Sequence, residues 1–234
     1  MILSAPIYTL KRRARAMARR DGVPLSTALD RCARAEGFQS WSHLAAADAA
    51  TERAPRLLAR LEPGQLALIG ARPGQGKTLL GLEILIAARA LGRPAHFFTL
   101  EYTNHQVRAL LVELAKGVDT SALNIDTPDA LSAARIMEQM AQSGPGGVAV
   151  VDYLQLMDQH RATPELAVQL QSLKAFAQDR AVTLICLSQI DRYFDPSIKP
   201  LPDASDLRLP NPIPLRVFDS MIFLHDGAVR LRAA

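Results

Sequence analysis

The sequence predicts an α/β domain with a mostly parallel sheet and helices on both faces, preceded by a small all-α module. From residue 64 onward, short apolar runs typical of buried strands alternate with segments that have apolar residues at helical spacing. Before residue 50 only helical patterns occur, and Asp21-Gly22 and Gly37-Phe38 interrupt them. The predicted organisation is therefore a helical module over 1–50, a linker over 51–63 and the α/β domain over 64–234.

Composition limits the class of protein. The length of 234 residues suits one large domain with a small appendage, and the hydrophobic fraction of 49% is ordinary for a globular protein. The longest apolar stretch contains Glu83 and Arg89, so we expect no membrane span. We identify no signal peptide, and Cys32 and Cys186 fit no metal-binding spacing. These features predict a cytoplasmic protein with reduced cysteines and no membrane partner.

The net charge of +4 is concentrated near the N-terminus. Residues 1–60 contain 11 Lys and Arg against 5 Asp and Glu, whereas the other 174 residues contain 16 and 18. A basic helix predicts an acidic partner, usually nucleic acid, although the same face could be solvated on an element that docks to a protein. The candidate nucleic-acid contacts on this helix are Lys11, Arg12, Arg13, Arg15, Arg19 and Arg20.

The strongest motif lies between residues 66 and 80. An apolar run leads into a glycine-rich turn, then Gly-Lys-Thr, then an apolar helical pattern, which is the layout of a phosphate-binding loop. Glycines let backbone N–H groups converge on phosphate oxygens, while Lys77 is expected on the β- and γ-phosphates and Thr78 on Mg²⁺. The alternative is an ordinary strand-to-helix turn with a solvated lysine. The predicted nucleotide contacts are Ala71, Arg72, Pro73, Gly74, Gln75, Gly76, Lys77, Thr78 and Leu79.

Polar residues also follow three other predicted strands. Glu101 is positioned to polarise an attacking water as general base, and Asp152 to bind Mg²⁺ through water. Gln189 is positioned to sense the γ-phosphate. Any one of them could end a strand without a function, but the carboxyl ends of parallel strands share one edge. Their order behind the phosphate-binding loop therefore favours nucleotide hydrolysis, with Lys77, Glu101 and Gln189 as the candidate catalytic residues.

These motifs resemble the ATPase domain of DnaB-type hexameric replicative helicases, within the RecA-like group. The resemblance covers about residues 57–226, and its most specific segments are VAVVDYLQLM and LICLSQIDR. The family also has alanine at the position of Ala71, where the general phosphate-loop pattern has glycine.

The resemblance implies a RecA-like P-loop NTPase core that binds ATP and Mg²⁺. It assigns Lys77 and Thr78 to phosphate and metal, Glu101 to general base catalysis, Asp152 to the Mg²⁺ site and Gln189 to sensing of the γ-phosphate. It further implies a homo-oligomer, with a hexameric ring as the family arrangement, in which each nucleotide lies between subunits. The expected macromolecular partner is DNA, single-stranded in particular, and the expected process is DNA replication.

The sequence departs from the family pattern in three places. The family continues after DSMIFLHD into a strand with a lysine and an arginine finger, where this chain has only Arg230 and Arg232 as basic residues. The segment 157–164 is short where the family has a longer loop facing DNA, and Arg161 within it is a further nucleic-acid candidate. In place of the family's N-terminal collar domain, residues 1–50 look like a small basic module found ahead of bacterial helicase-like ATPases.

Three hypotheses for the function follow. The first is a DnaB-like helicase or DNA-dependent ATPase that couples ATP turnover to action on DNA. The second is a RecA-like ATPase that does not unwind DNA and acts as a nucleotide-dependent switch or loader, with a protein partner bound through residues 1–50. The third is a nucleotide-binding protein without turnover.

Overall fold

The chain divides into two units, Met1–Ala54 and Pro55–Ala234. Among the described residues, no helix combines the length and apolar character that crossing a membrane requires. The computed structural model describes residues 4–5, 7–115, 117–158, 164–208 and 213–233.

Helices build the first unit. The helices are α1 (Ile7–Asp21), α2 (Leu25–Ala35) and α3 (Trp41–Leu58). Each helix contributes apolar side chains to a small core, since one buried cluster joins Leu10 of α1 to residues of α2 and α3. Ser40 caps α3, because its Oγ accepts a hydrogen bond of 3.2 Å from a backbone N–H of the first turn. The solvent-facing side of α1 is left to its basic residues.

The predicted linker is helical as far as Leu58, because α3 continues through Pro55. Ala54, Leu57, Leu58 and Leu61 are all buried. Their positions recur at helical spacing, so burial of one apolar stripe explains why this segment is not an extended connection. In the sequence, α3 therefore ends at Leu58, beyond Ala54, the last residue of the first unit.

The second unit is built on a sheet. Its strand order is β3-β2-β4-β5-β1-β6-β7, and every neighbouring pair is parallel except β6 and β7. This arrangement confirms the predicted mostly parallel sheet. The strands within the described residues are β1 (Leu66–Ala71), β2 (Ala95–Thr99), β3 (Asn124–Asp126), β4 (Val148–Asp152), β5 (Thr183–Gln189), β6 (Ser220–His225) and β7 (Ala228–Ala233).

Helices cover both faces of this sheet, as predicted. Gly81 of α4 packs so closely on the sheet that a Cβ there would lie 2.9 Å from Val150. Val151 points to the opposite face, where it shares a buried cluster with Ile136 of α6 and Leu170 of α7. The helices of the second unit are α4 (Lys77–Ala90), α5 (Asn104–Leu114), α6 (Ala133–Ala141) and α7 (Leu166–Arg180).

The strand register brings four carboxyl ends to one edge of the sheet. Ala71 of β1 pairs with Gln189 of β5, and Thr99 of β2 pairs with Asp152 of β4. Ligands of open α/β sheets bind outside the carboxyl ends of the strands. The polar residues singled out in the sequence therefore lie where such a site is expected.

Candidate active site

The loop between β1 and α4 curls in front of the helix. It contains a turn in which the Gln75 N–H donates to the Arg72 carbonyl oxygen over 3.2 Å. Gly74 and Gly76 have φ angles of +76° and +83°, a backbone region that residues with a Cβ rarely adopt. Gly76 is also the residue directly before α4, so the free N–H groups and the positive end of the helix dipole face the loop. The loop therefore has the backbone geometry of an anion-binding site.

Lys77 lies between two carboxylates. Its Nζ is 3.3 Å from Oδ1 of Asp152 and 3.6 Å from Oε2 of Glu101, and 5.2 Å from the centroid of the Tyr153 ring. Lys77 is 8% exposed and Asp152 is fully buried. One ammonium beside two carboxylates leaves a local excess of negative charge, and burying charges costs free energy that ion pairing repays only in part. Such a cluster is typical of a site built for a ligand.

Thr78 and Asp152 present oxygen atoms beside each other. The Thr78 hydroxyl donates to Oδ2 of Asp152 over 2.7 Å. Hydroxyl and carboxylate oxygens are the donors that Mg²⁺ prefers, and Mg²⁺ usually takes one or two of them from the protein and the rest from phosphates and water. Within the described part of the chain, no group of three or more His, Cys, Asp or Glu is arranged to hold a metal ion. The residues present therefore fit Mg²⁺ bound together with a nucleotide.

Glu101 occupies a short connection between β2 and α5. Its backbone N–H donates to Oγ1 of Thr99 over 3.1 Å, and Thr103 opens α5 with a reciprocal capping box. The Glu101 side chain is 35% exposed, in contrast to the fully buried Asp152. Glu101 can therefore meet water on one side while it faces Lys77 on the other, as a general base requires.

The structure brings together Lys77, Thr78, Glu101 and Asp152 from three separate stretches of the sequence. Gln189 lies at the end of the adjacent strand, and its carbonyl oxygen accepts a hydrogen bond of 2.9 Å from the Arg208 N–H. Ala71 ends β1, and the remaining predicted nucleotide contacts lie in the loop or the first turn of α4, with Pro73 and Leu79 exposed and Arg72 half-buried.

Two contacts of this region were not predicted. Tyr153 follows Asp152 directly, within a motif that was recognised only as a whole, and its ring lies beside Lys77. Gln75 accepts a hydrogen bond of 2.6 Å at Oε1 from the Asp226 N–H, at the turn between β6 and β7. A side chain that binds a backbone group 151 residues away leaves no periodic signal in the sequence.

The basic candidates on α1 are exposed, and they belong to the other unit of the chain. Arg20 pairs with its neighbour Asp21 over 2.7 Å. Arg161 lies outside the described residues. On β7, Arg232 is exposed and Arg230 half-buried, and they pair with Met221 and Phe223 of β6. Alternation along the strand puts both arginines on the same face, as expected from the sequence.

Comparison with known proteins gives one family. The model of the DnaB-like helicase C terminal domain matches residues 53–142 and 111–227. The Replicative DNA helicase DnaB of Synechocystis sp. is 28% identical over 181 residues, and the match covers 63% of this chain and 21% of that protein. The protein of the same name from Haemophilus influenzae is 29% identical over 188 residues, and the match covers 64% of this chain and 40% of that one. The chain thus spans between about a fifth and two fifths of the length of these relatives.

Solved structures with the same fold agree. One of them, described as an ATPase domain, gives a TM-score of 0.59 at 22% identity, over 73% of this chain and 74% of that one. "The Structure Of A DnaB-Like Replicative Helicase And Its Interactions With Primase" gives 0.58 at 20% identity, over 94% of this chain and 67% of that one. These structures confirm the predicted RecA-like fold. The family match confirms the predicted resemblance and, with it, the expected class of enzyme, an ATPase.

Proposed function

The chain belongs to the DnaB-like helicase C-terminal domain family, and from this premise we propose that it binds and hydrolyses ATP with Mg²⁺ and couples turnover to action on DNA. The observation that carries the proposal is the cluster of Lys77, Thr78, Asp152 and Glu101 in front of the glycine loop. Each member has a separate task in the hydrolysis of a triphosphate.

Lys77 and the loop bind the phosphates. The ammonium lies one residue beyond Gly76, where backbone N–H groups and the α4 dipole already favour an anion. Contacts between an ammonium and phosphate oxygens are among the strong charge-assisted hydrogen bonds. In the structure the Lys77 ammonium is paired with the carboxylates of Asp152 and Glu101. When ATP binds, the triphosphate replaces these carboxylates as the partner of the ammonium.

Thr78 and Asp152 hold the Mg²⁺. The metal supplies neutralisation of charge on the β- and γ-phosphate oxygens when it is bound. The hydrogen bond of 2.7 Å between the two side chains keeps their oxygen atoms next to each other. Asp152 acts from a fully buried position at the end of β4, so its carboxylate is fixed before the ligand arrives.

Glu101 activates the water. As the water oxygen bonds to the γ-phosphorus and the bond to the leaving ADP oxygen breaks, the water proton passes to the Glu101 carboxylate. Gln189, at the end of the strand next to β1, senses whether the γ-phosphate is present. The nucleotide state thereby reaches the segment that follows β5.

DNA, single-stranded in particular, is the proposed partner, and α1 supplies its basic contacts. A homo-oligomer, with a hexameric ring as the family arrangement, is the proposed assembly. In such a ring a neighbouring subunit supplies an arginine to the transition state, a contribution worth ~10³–10⁵ in rate. Arg230 and Arg232 on the edge strand β7 are our candidates for that arginine.

The test is steady-state ATPase activity with and without single-stranded DNA, combined with mass measurement with and without nucleotide. We expect Mg²⁺-dependent turnover that rises with DNA and a larger mass with nucleotide. Turnover indifferent to DNA would favour a nucleotide-dependent switch or loader instead. ATP binding without turnover under any of these conditions would contradict the proposed hydrolysis.

A further inference from the structure

Gln155 links two segments that leave the candidate active site. It lies in the short 3-10 helix Leu154–Asp158, which follows β4. Its Nε2 donates to Oγ of Ser188 over 3.0 Å and to the carbonyl oxygen of Arg208 over 2.6 Å. A carbonyl oxygen can only accept, so the side-chain amide must present its nitrogen to Arg208. The orientation of Gln155 is therefore fixed by its partners.

The chain after β5 forms a short ribbon with the segment around Arg208. The Arg208 N–H donates to the Gln189 carbonyl oxygen over 2.9 Å, and the Asp191 N–H donates to the Asp206 carbonyl oxygen over 2.7 Å. An antiparallel bridge joins the residues between these pairs. Gln155 and Gln189 thus bind the two backbone polar groups of a single residue, Arg208. A displacement of Gln189 is therefore transmitted to Arg208 through the bond to its N–H group. It is then transmitted to Gln155 through the bond to the Arg208 carbonyl oxygen.

A second glutamine of the same domain shows what a purely structural amide looks like. Gln169 accepts from the Ala133 N–H over 3.0 Å and donates to the carbonyl oxygens of Met157 and Pro164 over 3.0 and 2.8 Å. Both ends of its amide are satisfied. Oε1 of Gln155, in contrast, is buried without a hydrogen-bond partner among the described residues. Unpaired buried acceptors are rare because they cost free energy, so this amide suits a contact that rearranges between states.

We propose that Gln155 is a positioning residue that couples the nucleotide state at Gln189 to affinity for DNA. The inference rests on the proposed function, in which Gln189 senses the γ-phosphate. Gln155 holds Arg208 and Ser188 to the chain that follows Asp152, so the ribbon moves together with the nucleotide site. Without Gln155 the phosphate-binding loop keeps all its contacts, but the ribbon loses its hydrogen bond to the chain that follows Asp152.

The test compares Gln155→Met with Gln171→Met in the full chain. Methionine keeps the length of glutamine and removes both donors, and Gln171 is an exposed glutamine on α7. Affinity for a labelled single-stranded oligodeoxythymidine is measured with Mg²⁺ and either a non-hydrolysable ATP analogue or ADP. We expect the wild type and Gln171→Met to show a ratio of the two affinities of about 5–150, the range of ordinary allosteric coupling. In Gln155→Met the ratio falls by roughly fivefold or more towards one, while affinity for nucleotide without DNA is unchanged.

The outcomes separate this inference from the proposed function. A retained ratio in folded Gln155→Met overturns the inference alone. An equal loss of DNA affinity with the ATP analogue and with ADP also overturns it, because such a loss is a structural effect. A wild-type protein whose DNA affinity ignores the nucleotide contradicts the inference and the proposed function together. If Gln155→Met does not fold, Ser188→Ala decides, since it removes the β5 end of the link. Its ratio must fall at an unchanged melting temperature, and a retained ratio overturns the inference.

Discussion

Each end of β1 lies beside a lysine that pairs with an aspartate, and the surroundings of the two lysines differ. At the amino end, Lys174 pairs with Asp219, and the same carboxylate oxygen of Asp219 accepts a hydrogen bond of 2.9 Å from the Leu66 N–H. At the carboxyl end, Lys77 faces both Asp152 and Glu101.

The difference separates a pair that holds the fold from a cluster that awaits a ligand. Lys174 and Asp219 balance each other in charge, and their side chains are 19% and 31% exposed, so solvent screens them. The pair fastens α7 and the start of β6 to β1. Lys77 and Asp152 are more deeply buried, and Glu101 adds an excess carboxylate beside them, which a fold alone does not need. The ion pair at the amino end of β1 thus stabilises the fold, whereas the cluster at its carboxyl end is the site of the proposed chemistry.

Substitution of the two lysines gives the largest expected contrast. We expect Lys77→Ala to abolish tight ATP binding, because its ammonium meets the most highly charged part of the ligand. Lys174→Ala should bind ATP like the wild type. Titration calorimetry on both folded variants measures this directly. An unchanged ATP affinity in Lys77→Ala would refute the assignment of the phosphate-binding loop.

The second prediction is that affinity for DNA depends on the basic residues of α1, and not on the residues at either end of β1. Replacing Lys11, Arg12, Arg15 and Arg19 with glutamine should flatten the slope of log DNA affinity against log salt. The expected change is roughly 0.7 for each lost contact with single-stranded DNA. Arg180→Gln is the control, because Arg180 is an exposed arginine of α7 and is not among the candidate contacts with nucleic acid. An unchanged slope in the fourfold variant would indicate that α1 docks to a protein.

Much of the site could be predicted because its chemistry follows strands. Glu101 lies two residues after β2 and Asp152 ends β4, and parallel strands bring such positions to one edge. The contact of Gln75 with Asp226 could not be predicted, since it joins a side chain to a distant backbone group. The helical course of the segment 51–58 was missed although Leu57 and Leu58 carry its apolar spacing. The catalytic roles stay predictions until they are tested.

The third prediction concerns stability at the amino end of β1. Lys174→Ala should lower the free energy of unfolding by about 1 kcal/mol or less, the range for ion pairs near the surface. That corresponds to roughly 2–4 °C in melting temperature per kcal/mol for a domain of this size. Thermal unfolding followed by circular dichroism measures the shift. If Lys174→Ala lost ATP affinity while its stability was unchanged, the assignment of a structural role to the amino end of β1 would be wrong.

The smallest expected effect concerns His96 near the start of β2. Burial lowers the pKa of His96, and its Nε2 lies 2.6 Å from Oγ of Ser143. The unfolded chain, with a pKa of about 6.5, then binds the proton more readily than the folded chain. Stability is therefore complete above that pH and is lost as the pH falls towards the lowered value, by up to ~1.4 kcal/mol per pH unit. His96→Gln should flatten this dependence in denaturant titrations between pH 7 and 5, and an identical dependence would contradict the assignment to His96.

The most direct test of the proposed ATP hydrolysis is Glu101→Gln, measured for ATP binding and for turnover side by side, with Glu113→Gln as the control. Glutamine fills the space of Glu101 but accepts no proton, whereas Glu113 is an exposed residue of α5. We predict that Glu101→Gln retains ATP binding and loses ~10²–10⁴-fold in turnover, the usual contribution of a general base. A fall of less than about tenfold, against that expectation, would contradict the role of Glu101 and make Asp152 the next residue to test.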